Sequence, residues 1–353
     1  MAVSIQTIAE ETGFSRSTVG HVLAGRGDEL KVAPRTQQIV LDAARRLGYR
    51  PSFFAASLRK GQADLIIVLG SASRSQWRRQ RQQRTTEVLF EAGQRVQLFD
   101  WRWGRAQSQR FFDLLADLQP RGLIVSEVHG QGRMLAKLHA AGTVMVCGDG
   151  PRHGIPELEI DSVHLDRQEV GRLAMHHLLE LGHQRIVCVQ SRNPRAWELR
   201  DRSIGYHRAL KDAQLPTSAL RHVWCADEQS QDDLADGYRS MGAVLRLDPR
   251  PTGVIASNDR VAMGILKACA DHGVRVPQDM SVIGAEDHAI GAYLPQPLTT
   301  LRFPIEAMAQ TAASLLQQRL GGSTAPRQSL SMTPQLLPRA TTAPPFMTGV
   351  SNA

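Results

Sequence analysis

Ser4-Ile5-Gln6-Thr7-Ile8-Ala9-Glu10-Glu11-Thr12-Gly13-Phe14-Ser15-Arg16-Ser17-Thr18-Val19-Gly20-His21-Val22-Leu23 reads as two short helices around a tight turn. Ser4 and Ser15 each precede a helical stretch and can accept hydrogen bonds from its unpaired first-turn amides. Ile5, Ile8 and Ala9 fall on one face of the first stretch, and Val19, Val22 and Leu23 on one face of the second. Ala9 lacks bulk, so the second helix can cross closely, with Val19 filling the space beneath the crossing. Gly13 admits the positive φ that the turn requires. A helix pair of this build offers one polar face of its second helix to the major groove of DNA.

Working outward, a third helix is expected from Pro34, which has no amide to leave unpaired in a first turn. Ile39, Val40, Ala43, Ala44 and Leu47 recur at helical spacing and would close a small three-helix core, with Gly48 as the stop. The loop 24–33 carries Arg26, Asp28, Glu29 and Lys31 and reads as solvated. Ser52 is placed to cap a short helix over 53–58.

From Ala63 onward the pattern changes to short apolar runs alternating with helical stretches. Leu65-Ile66-Ile67-Val68-Leu69 is continuous and apolar, as expected of a parallel strand buried on both faces. Runs at 96–99, 122–125, 144–147, 185–189, 253–256 and 280–284 behave alike, with helical stretches at 166–181, 205–213, 232–247, 260–272 and 305–320 between them. Such alternation gives parallel sheets with helices on both faces, and ligands at the carboxyl ends of the strands.

Composition fits this layout. A chain of 353 residues holds a small head and two larger lobes, and its formal net charge of +8 suits a polyanionic partner. Residues 1–62 carry nine Lys/Arg against five Asp/Glu. Cys147, Cys188, Cys225 and Cys269 are dispersed without metal-ligand spacing, which predicts reduced core thiols, no metal and no cofactor. No apolar signal core opens the chain and no apolar run approaches membrane length, so a cytoplasmic protein without a membrane partner is expected. Phosphate-loop, nucleophile-elbow and zinc-protease motifs are absent, and an enzyme is not expected. His176 and His177 are adjacent, hence about 100° apart on a helix, and make no chelating pair.

These motifs together resemble the LacI/GalR (lactose-repressor) family of bacterial transcription regulators. The likeness rests on Thr7-Ile8-Ala9, Gly13-Phe14-Ser15, Thr18-Val19, Val22-Leu23, Gly48-Tyr49-Arg50-Pro51 and the segment Ala55-Ala56-Ser57-Leu58-Arg59-Lys60-Gly61. It extends to His177-Leu178-Leu179-Glu180-Leu181-Gly182-His183-Gln184-Arg185-Ile186 and to Gly273-Val274-Arg275-Val276-Pro277-Gln278-Asp279-Met280-Ser281-Val282-Ile283-Gly284.

The resemblance implies an all-α helix-turn-helix head followed by a two-lobed, periplasmic-binding-protein-like α/β body with parallel sheets. The expected divisions are a DNA-binding domain 1–50, a hinge 51–62, and a body 63–343. Within the body the N-lobe is about 63–161 with 296–325, and the C-lobe about 162–295 with 326–343. A tail 344–353 follows, and the chain from Thr341 is expected to be disordered. The implied partners are double-stranded DNA with a near-palindromic operator, a second copy of the chain, and a small-molecule effector, a sugar or sugar derivative, between the lobes.

Arg16, Ser17 and His21 share one face of the second helix and are the expected base readers; Arg16 can donate two hydrogen bonds to guanine. Ser4, Ser15 and Thr18 are the expected phosphate ligands. His21 stands where the family commonly has Arg, and Gly20 where it usually has a phosphate-binding Ser. In the hinge, Leu58 matches the family's minor-groove wedge, Ala55 is small enough for two hinge helices to meet, and Arg59 faces phosphate.

For the effector, Arg202-Ser203-Ile204-Gly205 matches the family's Arg-x-x-Gly, whose Arg points into the cleft. Asn258 and Glu286 follow strands and could join Arg202 on sugar hydroxyls, with Glu286 where the family typically has Asp. Asp149 also follows a strand and reads equally as a ligand or a salt-bridge partner; Asp259 is a candidate helix cap. The segment Arg74 to Arg84 departs most from the family, with five arginines and no acid. Trp77 there could stack on a sugar, and the arginines could favour an acidic effector; a solvated basic helix face is the preferred reading for most of them. A ligand binder without DNA regulation is disfavoured by the intact recognition face and Leu58, and an effector-independent DNA protein by Arg202, Asn258 and Glu286.

Overall fold

The computed structural model describes residues 3–49, 62–71, 75–101, 105–126, 131–150, 158–190, 196–225 and 232–346. The chain divides into two compact units, Met1–Asp64 with Asp117–Pro120, and Leu65–Ala116 with Arg121–Ala353. The hinge residues Ala55, Leu58 and Arg59 lie outside the described residues.

In the first unit, α1 (Ile5–Thr12), α2 (Arg16–Leu23) and α3 (Pro34–Arg46) enclose Ile8, Ala9, Val19, Val22, Val40, Ala43 and Ala44. Gly13 takes φ +71° and donates its amide to the Ala9 carbonyl at 2.9 Å, closing α1 and turning the chain. Ile39, expected in the core, is 41% exposed, because Val40 takes the inward position at that level. The loop before α3 is held by an Arg26–Glu29 ion pair and by Gln37, whose side chain donates to Asp28 and to the Val32 carbonyl.

The second unit is built on two sheets. The first has order β11-β5-β4-β3-β1-β2, from β1 (Ala63–Ser71), β2 (Val96–Trp101), β3 (Pro120–Ser126), β4 (Val144–Asp149), β5 (Asp161–Leu165) and β11 (Ser329–Met332). The second has order β7-β6-β8-β9, from β6 (Ile186–Gln190), β7 (Leu220–Trp224), β8 (Gly253–Ala256) and β9 (Ser281–Ile283), and is parallel throughout. A two-stranded antiparallel ribbon joins β10 (Thr300–Arg302) to β12 (Gln335–Leu337).

The lobe boundaries differ from those expected at 161 and 325. Both β5 and β11 pair within the first sheet. The physical reason is one buried carboxylate: Asp161 accepts Arg319 Nε at 2.6 Å from α11 (Ile305–Leu320) and the Gln328 amide at 2.8 Å. That anchor fixes the start of β11 against β5.

The chain from Thr341 is also ordered, against expectation, through Phe346. Thr341 is fully buried, donates its hydroxyl to the Val282 carbonyl at 2.7 Å and accepts the Thr299 amide at 2.9 Å. His183 Nε2 lies 3.0 Å from both the Ala343 carbonyl and the Ser281 hydroxyl. The segment behaves as a short extra edge on β9 rather than as a tail.

Close helix packing orients the second lobe. A Cβ on Gly171 of α7 (Arg167–Glu180) would fall 2.1 Å from the Arg202 carbonyl oxygen of α8 (Ala196–Asp212). A Cβ on Gly205 would fall 1.9 Å from the Gln168 carbonyl oxygen. The glycine of Arg202-Ser203-Ile204-Gly205 therefore lets α8 lie on α7 with Arg202 beside the contact.

Candidate functional site

Helix α2 carries the first candidate surface. Ser15 caps it, accepting the Thr18 amide at 3.1 Å, while its hydroxyl lies 2.9 Å from Thr18 Oγ1. Ser4 caps α1 in the same way through the Thr7 amide at 3.2 Å. Both hydroxyls thus fix helix starts and remain on the surface. Val19 and Val22 are buried beneath α2, which leaves Arg16 and Ser17 exposed and His21 half-buried on the outer side. Gly20 sits in the middle of the helix with open space where a side chain would begin.

The second candidate region lies at the carboxyl ends of β4, β8 and β9. Asp149, the last residue of β4, is fully buried. Arg167 holds it bidentately, Nη2 to Oδ2 at 2.8 Å and Nη1 to Oδ1 at 3.1 Å, and Arg81 Nη1 stands 2.8 Å from Oδ2. Burial alone would raise this carboxyl, but the Arg167 and Arg81 guanidiniums overcome it and hold Asp149 ionised far below the ordinary carboxylate range.

Trp77 is 2% exposed. Its ring meets Phe303 edge-on at 5.1 Å, with the Arg81 and Arg78 guanidiniums 4.9 and 5.6 Å from its centroid. It is a wall of the core and a platform for cations, and has no face left for stacking a ligand. The arginines of this segment do not form a solvated face as preferred from the sequence. Arg78 and Arg81 of α4 (Gln76–Glu91) are buried, whereas Arg79 is exposed and Arg84 pairs with Glu306 at 2.7 Å.

From the second sheet come Arg202, Asn258 and Glu286. Arg202 Nη1 donates to the Ser257 carbonyl at 2.6 Å. Arg202 Nε and Ser257 Oγ are buried with no hydrogen-bond partner among the described residues. Asn258, and not Asp259, caps α10 (Asp259–Asp271): its side chain accepts the Val261 amide at 2.9 Å and donates to Asp233 at 3.0 Å. Asp259 instead accepts Thr300 Oγ1 and the His288 amide, both at 2.6 Å, and burial pushes its carboxyl up to about 7.

Glu286 has φ +108° and accepts Ser75 Oγ from the other lobe at 3.0 Å. Burial, with Asp259 adding to it, pushes the Glu286 carboxyl up to about 8 against the pull of Arg78, Ser75 and Arg202. At neutral pH it is mostly protonated. Arg78 acts on both Glu286 and Asp149, so the two acids share that cation while Arg202 bears on Glu286 and Arg167 and Arg81 on Asp149. Sequence reading missed Arg81 and Arg167; the signal for Arg81 was its place in the series Trp77, Arg81, Thr85, Leu89, which is one buried helix face.

Comparison with known proteins agrees with this architecture. The profile of the periplasmic binding protein-like domain matches residues 175–342. A Mannheimia succiniciproducens protein named HTH-type transcriptional repressor PurR is 28% identical over 338 residues, covering 95% of this chain and 97% of that one. A Shigella sonnei protein of the same name is 28% identical over 348 residues, covering 96% and 97%. The structure of a Lac repressor dimer bound to operator and the anti-inducer ONPF superimposes with a TM-score of 0.78 at 25% identity, covering 97% of this chain and all of that one. Along nearly its whole length the chain is thus similar to repressors of the LacI/GalR kind.

Proposed function

We propose that this protein is a DNA-binding transcriptional repressor that acts as a homodimer and whose operator affinity is set by a small molecule bound between the lobes. The observation that carries this reading is helix α2. It is capped by Ser15, anchored by Val19 and Val22, and free on its Arg16, Ser17 and His21 side. That is the arrangement by which a helix-turn-helix places side chains on base edges in the major groove. Support comes from relatives named transcriptional repressors that match nearly end to end, and from a structural neighbour bound to its operator as a dimer.

In this reading Arg16 reads guanine, Ser17 and His21 read neighbouring positions, and Ser4, Ser15 and Thr18 bind phosphates. Two hinges, each with Ala55, Leu58 and Arg59, meet at the central step of a near-palindromic site. The effector, a sugar or sugar derivative, is held by Arg202 with Glu286 and Asn258. It changes DNA affinity only by the difference in its affinity for the two body conformations.

Selection of bound fragments from a random DNA library tests the proposal. A symmetric site with two half-sites is expected. Enrichment of no motif, with binding that only tracks ionic strength, would overturn it.

A further inference from the structure

We propose that Gly20 is a specificity residue of helix α2: the space it leaves open between Arg16 and Ser17 takes the 5-methyl group of a thymine in the major groove. This rests on the DNA-binding reading above and names one group that the helix recognises.

The first ground is that the head itself has no use for a glycine there. Glycine in the middle of a helix is unfavourable, because it loses the most backbone freedom on folding. Helices of the body carry glycines where contact demands them. A Cβ would fall 2.1 Å from the Arg202 carbonyl oxygen at Gly171, 1.9 Å from that of Gln168 at Gly205, 2.1 Å from that of Val261 at Gly237 and 2.0 Å from that of Leu234 at Gly264. Gly242 has the Arg246 guanidinium at 3.7 Å. At Gly20 a Cβ would meet nothing within 4 Å among the described residues, and its φ is not positive. Neither packing nor backbone conformation calls for glycine at that position.

The second ground is where the bare surface lies. Successive residues of an α-helix turn by about 100°. Val19 and Val22 are buried, and Ser17 points away from the middle of that buried face. Gly20 and His21 then stand about 50° to either side of the outward direction, with Arg16 about 40° beyond Gly20. A helical side chain leans toward the N-terminus and covers the turn before its own Cα. A side chain at position 20 would therefore cover the surface between Arg16 and Ser17, and with glycine that surface is open backbone. The gap is bordered by residues proposed above as base readers.

The third ground is the chemistry of the gap. The Gly20 carbonyl accepts the Ala24 amide at 3.1 Å, and its own amide belongs to the hydrogen-bond ladder of α2. The floor has no hydrogen bond left to offer. Base edges in the major groove present donors, acceptors and one apolar group, the 5-methyl of thymine. A donor or acceptor pressed into the gap would lose its water without gaining a partner. A methyl group gains by leaving water. Since Arg16 at the border donates to guanine in the proposed reading, the thymine is expected beside that pair.

The test uses the full chain and the operator found by the library selection described above. Fluorescence anisotropy gives the affinity for that operator, for random duplex, and for operators in which each thymine of the half-site is replaced in turn by uracil, which lacks only the methyl. One replacement should weaken binding of the parent chain by about threefold per half-site, the worth of one buried methyl group. Gly20→Ala should fill the gap and weaken binding to the thymine operator by about tenfold or more, with a much smaller loss on random duplex. The same uracil replacement should then recover at least about threefold of that loss, so that the preference for thymine inverts at that one position. Circular dichroism checks folding, and if Gly20→Ala does not fold, the uracil series on the parent chain decides alone. A selected half-site in which no thymine methyl matters, operator affinity of Gly20→Ala at or above that of the parent, or a loss equal for thymine and uracil at every position would each overturn the proposal. A chain that selects a symmetric operator but fails here keeps the regulatory reading and loses the methyl contact. One that selects no operator loses both.

Discussion

Asp149 and Glu286 show how two acids at strand ends reach opposite states. Asp149 is surrounded by guanidiniums, which hold its carboxyl down; Glu286 is half-buried with a weaker cationic surround, and desolvation pushes its carboxyl up to about 8. Removing the Asp149 charge leaves Arg81 and Arg167 buried without their carboxylate. Asp149→Asn should therefore destabilise the body by about 3–5 kcal/mol, measured by urea denaturation. Loss of less than about 1 kcal/mol would mean the cluster is not a stability element. For Glu286 the carboxyl rises from an ordinary 4.5 to about 8 on folding. Its contribution to stability is full below the lower value and is lost as pH rises through the upper one. Glu286→Gln, neutral at every pH, should flatten the decline in stability between pH 4.5 and 8, read from denaturation midpoints across that range. The same decline in the variant would assign it to Asp259, which shifts in the same direction. Neither state was legible from the sequence, where both residues were simply acids after a strand; the arginines that separate them come from α4 and α7.

At the scale of elements, two glycines work in opposite ways. Gly205 is required by contact, since a Cβ would meet the Gln168 carbonyl oxygen at 1.9 Å. Gly205→Ala should push α8 off α7, cost about 1–3 kcal/mol or more, and displace Arg202, so that thermal stability and ligand response fall together. Gly20 meets nothing within 4 Å, so Gly20→Ala should raise the stability of the head by about 0.5–1 kcal/mol through backbone entropy alone. A loss of stability there would mean that the α2 surface is more crowded than its geometry shows. The helices themselves were legible, because caps, periodicity and the Gly13 turn are local signals. Trp77 was not. Its buried face is fixed by Phe303, more than two hundred residues away, so a tryptophan suited to stacking on a ligand became part of the core.

At the scale of the whole molecule, the chain after β12 returns to the second sheet and lays Thr341 and Ala343 against β9. Thr341→Ala should leave the Thr299 amide and the Val282 carbonyl without their partner and cost about 1–3 kcal/mol, seen as a lower melting temperature. An unchanged melting temperature would show that the segment is a passive cover. The regulatory coupling proposed above also belongs to this scale. Arg202→Ala should abolish the effect of ligand on operator binding while leaving operator affinity intact, whereas Arg16→Ala should relax preference at one base pair and leave the ligand response alone; fluorescence anisotropy with labelled operator reads both. What the sequence determined by itself was the order of elements and which face of α2 is exposed. Those follow from signals a few residues apart, such as Ser15 before a helix, Gly13 in a turn, or Leu65 to Leu69 as a buried strand. Tertiary structure alone decided the lobe edges, the ordered segment after Thr341, and the charge of the cleft. Each depends on groups distant in the chain, Asp161 with Arg319, Thr341 with Val282, and Asp149 with Arg81. Whether a buried acid is ionised or neutral is set by the charges and water that folding brings to it or takes away.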